Sequence, residues 1–183
     1  MANRMLFPNY SRGERAARRK VMVIYGHDAS ANRALFSWLR SIGLEPFEWS
    51  QLVQQSGDAS PYNGQVLDLA FKHAQAVLAF FTPDEIVGAS GASPDDKHAW
   101  RRQARPNVMV EAGMALAKHP QRTVLVVLGE QELPSDLAGR HYIKLDGTAR
   151  ALHELARQLI AAKCDVDLTG TEWIDSGIFP DRG

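Results

Sequence analysis

The run AVLAFF at residues 76–81 is the clearest element of this sequence, and VMVIY at 21–25 and TVLVVL at 123–128 have the same character. Short, continuous apolar runs of this length are typical of strands that are buried on both faces of a parallel sheet. Two weaker segments, 44–49 and 141–145, are predicted as further strands. We expect the first of them at an edge of the sheet because it contains Pro46.

Amphipathic helices are predicted between these strands. The first helix is expected to start at a cap provided by Asp28 or Ser30 and to end at Gly43. Further helices are predicted at residues 66–74, 108–118 and 148–163. The stretch 82–105, which contains several Gly and Ser residues, is predicted as a long irregular loop. Alternating strands and helices predict a single α/β domain of flavodoxin-like architecture, with a five-stranded parallel sheet of order 2-1-3-4-5 and helices on both faces.

Length and composition narrow the class of protein. A chain of 183 residues with 45% hydrophobic and 23% charged residues is typical of one globular domain and excludes disorder of the whole chain. The single cysteine, Cys164, excludes an internal disulfide framework and a zinc site built from cysteines. No apolar run approaches the roughly 20 residues of a membrane helix, and no secretory signal is found. We therefore expect a cytosolic protein that does not associate with membranes.

The charges balance overall but are unevenly distributed. The 21 basic and 21 acidic residues cancel, which argues against a dedicated nucleic-acid binder. A basic leader at 1–19 precedes the predicted domain at 20–164, and an acidic tail follows at 165–183. Two interpretations stay open for these ends: solvated tails, or head-to-tail contact between copies of the chain. Three apolar residues favour docking of the tail: Trp173, Ile178 and Phe179.

Topology predicts where a ligand binds. In open parallel sheets the site lies at the carboxyl ends of the strands where the strand order reverses, here between the first and third strands. Three segments converge there, at 26–28, 82–84 and 105–111, and Asn107 and Glu111 share one helix face. The sequence contains no dinucleotide-binding glycine motif, no phosphate loop and no nucleophile elbow. Phe81 and Thr82 stand where a phosphoacceptor receiver domain has an aspartate.

Three motifs carry a resemblance to a known family. VMVIYGHD at 21–28 resembles the opening of prokaryotic TIR-like domains, which were first described as predicted nucleotide-binding proteins. ARPNVMVEAG at 104–113 resembles the second signature of that family, Asn-Val-x-x-Glu-x-Gly. LPSDL at 133–137, followed by YIKL at 142–145, is similar to the third. In this order and spacing, the three motifs together span most of the chain.

The resemblance implies an effector domain of a bacterial anti-phage system, a class that includes fusions to STING-like cyclic-dinucleotide sensors. It implies an NAD glycohydrolase in which Glu111 is catalytic, NAD is the substrate and no further cofactor or metal is needed. Implied partners are other copies of the chain, in an oligomer or filament, and a cyclic-nucleotide sensor. The predicted substrate contacts are Gly26, His27, Asp28, Trp49, Phe81, Thr82, Arg105 and Asn107.

Simpler roles remain open for several of these residues. Glu111 is early in its helix, where an acidic residue is favourable beside the helix dipole. Asp28 and Asn107 are also typical helix caps, and Trp49 and Phe81 are typical core residues. Two other functions stay open for the whole chain: a TIR scaffold in which Glu111 is idle, and an enzyme like the nucleoside deoxyribosyltransferases, which use a nucleophilic glutamate.

Overall fold

A parallel five-stranded sheet forms the centre of the computed structural model, which describes residues 10–48, 63–93, 95–137, 139–175 and 179. The described strands are β1 Lys20–Tyr25, β2 Glu45–Glu48, β3 Ala76–Phe81, β4 Glu85–Gly88, β5 Trp100–Gln103, β6 Thr123–Leu128 and β7 Ile143–Leu145. The central sheet has the order β2-β1-β3-β6-β7, and every neighbouring pair in it is parallel. This order confirms the predicted fold and places β2, with Pro46, at an edge.

The predicted helices lie close to their expected positions. The described helices are α1 Arg12–Arg19, α2 Ala29–Ser41, α3 Asn63–His73, α4 Pro106–Lys118, α5 Ala149–Ala161 and α6 Glu172–Asp175. Asp28, rather than Ser30, caps α2, because its carboxylate accepts the N–H of Ala31 at 3.1 Å. Gly43, at φ +77°, follows the end of that helix, as the sequence predicts.

Two hydrophobic cores cover the two faces of the sheet. One core contains the buried sides of α2 and α5, and the other contains those of α3 and α4. Trp173 and Phe179, from the acidic tail, are buried in the first core. Docking of the tail is thereby confirmed for these two residues, while Ile178 lies outside the described residues. The α4 side of the sheet also contains the side chain of Phe81.

The prediction of a long irregular loop at 82–105 is wrong. Strands β4 and β5 form an antiparallel hairpin in this stretch, with Glu85 opposite Gln103 and Gly88 opposite Trp100. Each strand has only four residues, and β5 is largely charged, so the sequence shows no alternating apolar pattern. A 3.1 Å salt bridge between Arg101 and Glu132 joins the hairpin to the segment that follows β6.

The basic and acidic ends of the sequence meet within one chain. Arg19 forms a 3.1 Å salt bridge with Asp165, and Arg18 donates to the carbonyl of Lys163 at 3.0 Å. The acidic tail thus begins in contact with the end of α1 and is not fully solvated at this point. Contact between copies of the chain stays a prediction. Among the described residues, no helix is long and apolar enough to span a membrane.

Candidate active site

Polar contacts join the three segments that topology predicts to converge. The ends of β1 and β3 are neighbours, with Tyr25 opposite Phe80 in the sheet register. Beyond them, the backbone N–H of His27 donates to Asp84 Oδ2 at 2.9 Å. The imidazole Nε2 of His27 forms a hydrogen bond with the guanidinium of Arg105, at the start of α4. The carboxyl edge of the sheet therefore brings together the loop after β1, the loop after β3 and α4.

Gly26 is required in this arrangement by close approach. A Cβ at position 26 would lie 1.7 Å from Asp84 Oδ2 and 3.0 Å from Thr82 Oγ1. Gly26 does not have a positive φ, so backbone conformation alone would allow other residues. Its carbonyl accepts from the amide of Asn32 at 2.9 Å, which fixes the loop against α2. The Asp84 carboxylate thus occupies the space in which a side chain would stand.

Arg105 contacts both a histidine and a glutamate. Besides contacting His27, its Nε lies 3.7 Å from Glu85 Oε1, and both side chains of this ion pair are about one-third exposed. Such a solvent-accessible pair contributes little stability, so its main effect is on the orientation of the guanidinium. Arg105 is also the N-cap residue of α4, where Pro106 occupies the first turn.

Glu111 lies in the second turn of α4 and is half-buried. Burial raises the pKa of its carboxyl above the ordinary value, because a charged carboxylate is poorly solvated there. Within the described residues no hydrogen bond or ion pair engages this carboxylate, which is unusual for a half-buried acid. Asn107, one turn earlier on the same helix, is exposed. Glu111 is therefore a carboxylate available to a ligand.

The other predicted site residues have different surroundings. Asp28 serves as the cap of α2 and also accepts from Ser30 at 2.8 Å. Phe81 and Thr82 are only 1% and 0% exposed, so neither side chain is open to a ligand in this structure. Trp49 lies outside the described residues. The substrate contacts of all four residues stay predictions.

Sequence reasoning did not select Asp84 and Glu85 as site residues. Both carboxylates belong to the segment that follows β3, and each contacts a residue that the sequence did select. The signal that points to Asp84 is a glycine after β1 together with an acid after β3, on neighbouring strands. Together the site offers a carboxylate without a partner among the described residues, which can stabilise positive charge that develops on a bound ligand, and a guanidinium, which can bind an anionic group.

Comparison with known proteins assigns the family. Residues 20–147, from β1 to just beyond β7, match the model of the TIR domain of CAP12/Pycsar effector proteins. The chain is also 32% identical over 134 residues to a protein of Escherichia coli K12 that is named uncharacterized protein YuaY. That match covers 72% of this chain and 42% of YuaY, so the chain spans less than half the length of this relative. By its sequence match and its fold, the chain belongs to the CAP12/Pycsar effector TIR-domain family.

Proposed function

We propose that this TIR domain is an NAD glycohydrolase that acts in anti-phage defence, with Glu111 as its catalytic residue. The observation that carries the proposal is the state of the Glu111 carboxyl. It is half-buried in the second turn of α4, the helix that begins at Arg105 in the site, and has no partner within the described residues. Membership of an effector TIR family supports the same function.

One carboxylate is sufficient for this reaction. Ordinary glycosidases need a second carboxyl group that protonates the leaving group. In NAD the nicotinamide ring is already cationic, so the pair of electrons from the bond between ribose C1′ and the ring nitrogen neutralises it as it leaves. The positive charge that develops on the ribose is stabilised by the Glu111 carboxylate. Water then adds to C1′ and loses a proton, which gives ADP-ribose, whereas attack by an adenine nitrogen gives a cyclic product.

The surrounding residues are proposed to bind and orient NAD. Asn107 lies one helical turn before Glu111 and is exposed, so its amide can hydrogen-bond a ribose hydroxyl. The guanidinium of Arg105, at the N-terminus of the same helix, suits a phosphate oxygen of the substrate. His27 and the backbone of Gly26 are proposed to contact NAD from the loop after β1. NAD is the substrate in this proposal, and no further cofactor takes part.

We further propose that the domain acts in the cytosol after self-assembly, under the control of a cyclic-nucleotide sensor. Exposed apolar side chains support assembly. Ile86 on the hairpin is 66% exposed and Val110, next to Glu111 in the chain, is 58% exposed. Trp100, on the partner strand of the hairpin, is also exposed. Large apolar groups of this kind are frequent at protein interfaces.

The test is nicotinamide release from NAD at rising protein concentrations, for the wild type, Glu111→Gln and Glu154→Gln. Glu154 is a partly buried acid, paired with His141, on α5, which packs on the opposite face of the sheet, so its replacement is a control for loss of a carboxylate far from α4. We expect release that rises more steeply than protein concentration, is lost in Glu111→Gln and is retained in Glu154→Gln. Equal release by Glu111→Gln and the wild type would remove Glu111 from the reaction.

A further inference from the structure

Asp84 joins two loops of the site through one carboxylate. Its own backbone N–H bonds to the carbonyl of Thr82 at 2.8 Å, which turns the chain immediately after β3. From this turn Oδ2 reaches across to the loop after β1 and accepts the N–H of His27 at 2.9 Å. A bond between an ionised acceptor and a backbone N–H is stronger and more directional than a neutral one. Asp84 therefore fixes the backbone of His27 relative to β3.

The network continues from His27 to the helix that carries Glu111. The imidazole of His27 contacts the guanidinium of Arg105, which in turn is paired with Glu85, the neighbour of Asp84. Arg105 is the first residue at the α4 cap, and Glu111 follows six positions later on the same helix. Because a helix is locally stiff, the position of Arg105 and the position of Glu111 are set together. The network thus starts at Asp84, which bonds to His27, and returns to Glu85, which pairs with Arg105.

This arrangement makes only a modest contribution to stability. The bond between His27 and Asp84 is exposed, so water partly replaces the acceptor when it is removed. The bond does, however, determine where Gly26 and His27 stand, because the carboxylate fills the space above Gly26. Removing the carboxylate frees the N–H of His27, while the bond from Asn32 to the carbonyl of Gly26 and the sheet remain intact.

We propose that Asp84 is a positioning residue, which holds the Gly26–His27 backbone at the distance from Glu111 that NAD requires. The proposal deepens the proposed function and rests on it for the identity of the ligand. Asp84 acts through the loop and not by contact with the reacting atoms. Its loss is expected to weaken substrate binding more than the chemical step, because loop contacts are made in both the ground state and the transition state.

The experiment compares Asp84→Ala with Asp84→Asn, since the amide oxygen of asparagine still accepts the N–H of His27. Asp95→Ala is the control, because Asp95 is exposed on the same hairpin segment and its side chain has no partner among the described residues. We expect Asp84→Ala to raise KM for NAD about tenfold with kcat changed less than about threefold. Asp84→Asn and Asp95→Ala are expected to stay within about twofold of the wild type.

A second measurement separates this proposal from the function on which it rests. In the Glu111→Gln background, NAD is titrated against the protein while backbone amide signals are followed by NMR. Asp84→Ala is expected to weaken binding about tenfold and to accelerate hydrogen exchange of the His27 amide, and Asp84→Asn is expected to restore both. Equal NAD affinity in all variants, or no NAD binding in any, overturns the positioning role. If NAD binds with the expected pattern but the wild type releases no nicotinamide, only the glycohydrolase proposal fails.

Discussion

Replacing Gly26 with alanine tests the packing at the centre of the site. The new Cβ would lie 1.7 Å from Asp84 Oδ2, whereas real Cβ atoms essentially never come closer than 3.0 Å to such a neighbour. The carboxylate must therefore move by about 1.3 Å, the difference between these two distances. A movement of that size breaks its 2.9 Å bond to the N–H of His27. Backbone strain makes no contribution, because Gly26 does not have a positive φ.

The expected loss of stability follows from that single bond. Hydrogen bonds to charged groups contribute about 1.5–3 kcal/mol, and exposure to water places this one at the low end, near 1.5 kcal/mol. In a domain of this size the melting temperature should fall by about 3–6 °C. Urea denaturation at neutral pH, followed by circular dichroism, measures the free energy of unfolding directly.

Two comparisons decide whether the reasoning is right. Gly113→Ala is the matched control, because a Cβ at 113 meets nothing within 4 Å and the residue lies inside α4. There alanine should stabilise the protein by about 0.5–1 kcal/mol. In an Asp84→Ala background, Gly26→Ala should lose most of its effect, with a coupling energy of about 1 kcal/mol. Additive effects of the two substitutions would refute the close-approach argument.

Three further predictions concern other parts of the chain. Glu111→Gln should melt at a higher temperature than the wild type at pH 7. Burial raises the pKa of the folded carboxyl, so its carboxylate destabilises the fold above that pKa, and the difference should vanish as the pH falls below the ordinary value of 4.5. Cys164 is fully buried, and burial raises the pKa of its thiol to about 12. It should therefore resist iodoacetamide at pH 8 in the native state and react after denaturation. Rapid labelling of the native protein would contradict its burial. Trp173→Ala should lower the free energy of unfolding by about 3–5 kcal/mol, since Trp173 is only 5% exposed. Ile174→Ala should lower it by much less, because this neighbouring side chain is far more exposed. Equal effects of the two substitutions in urea denaturation would show that the tail is not part of the core.

The sheet was readable from the sequence because its central strands are continuous apolar runs. A six-residue run such as 76–81 is fully buried, so burial and pattern agree at every position. Pro46 likewise indicates an edge strand, because proline has no N–H to donate, and β2 is the terminal strand of the described sheet. The hairpin was not readable, because Ile86 and Val87 pair with Arg102 and Arg101 and no apolar periodicity results.

The contacts of the site join residues that are far apart in the sequence, and these residues meet because β1 and β3 are neighbours in the sheet. Spacing identified Gly26 and His27 as loop residues after a strand, and Arg105 as the start of a helix. Asp84 lies in a segment that the sequence predicts to converge on the site, but its partner His27 is 57 positions away, and the local sequence does not show that its carboxylate fills the space above Gly26. The burial of Thr82 was also not evident, since a polar residue after a strand is normally expected at the surface.

The most direct test of the central claim is proton NMR of NAD mixed with the wild-type protein at high concentration, with crowding agents present to favour assembly. We expect the signals of NAD to disappear and those of free nicotinamide to grow in equal amount, while Glu111→Gln leaves NAD intact under the same conditions. Persistence of NAD with the wild-type protein, or equal consumption by both proteins, would contradict the claim that Glu111 makes this domain an NAD glycohydrolase.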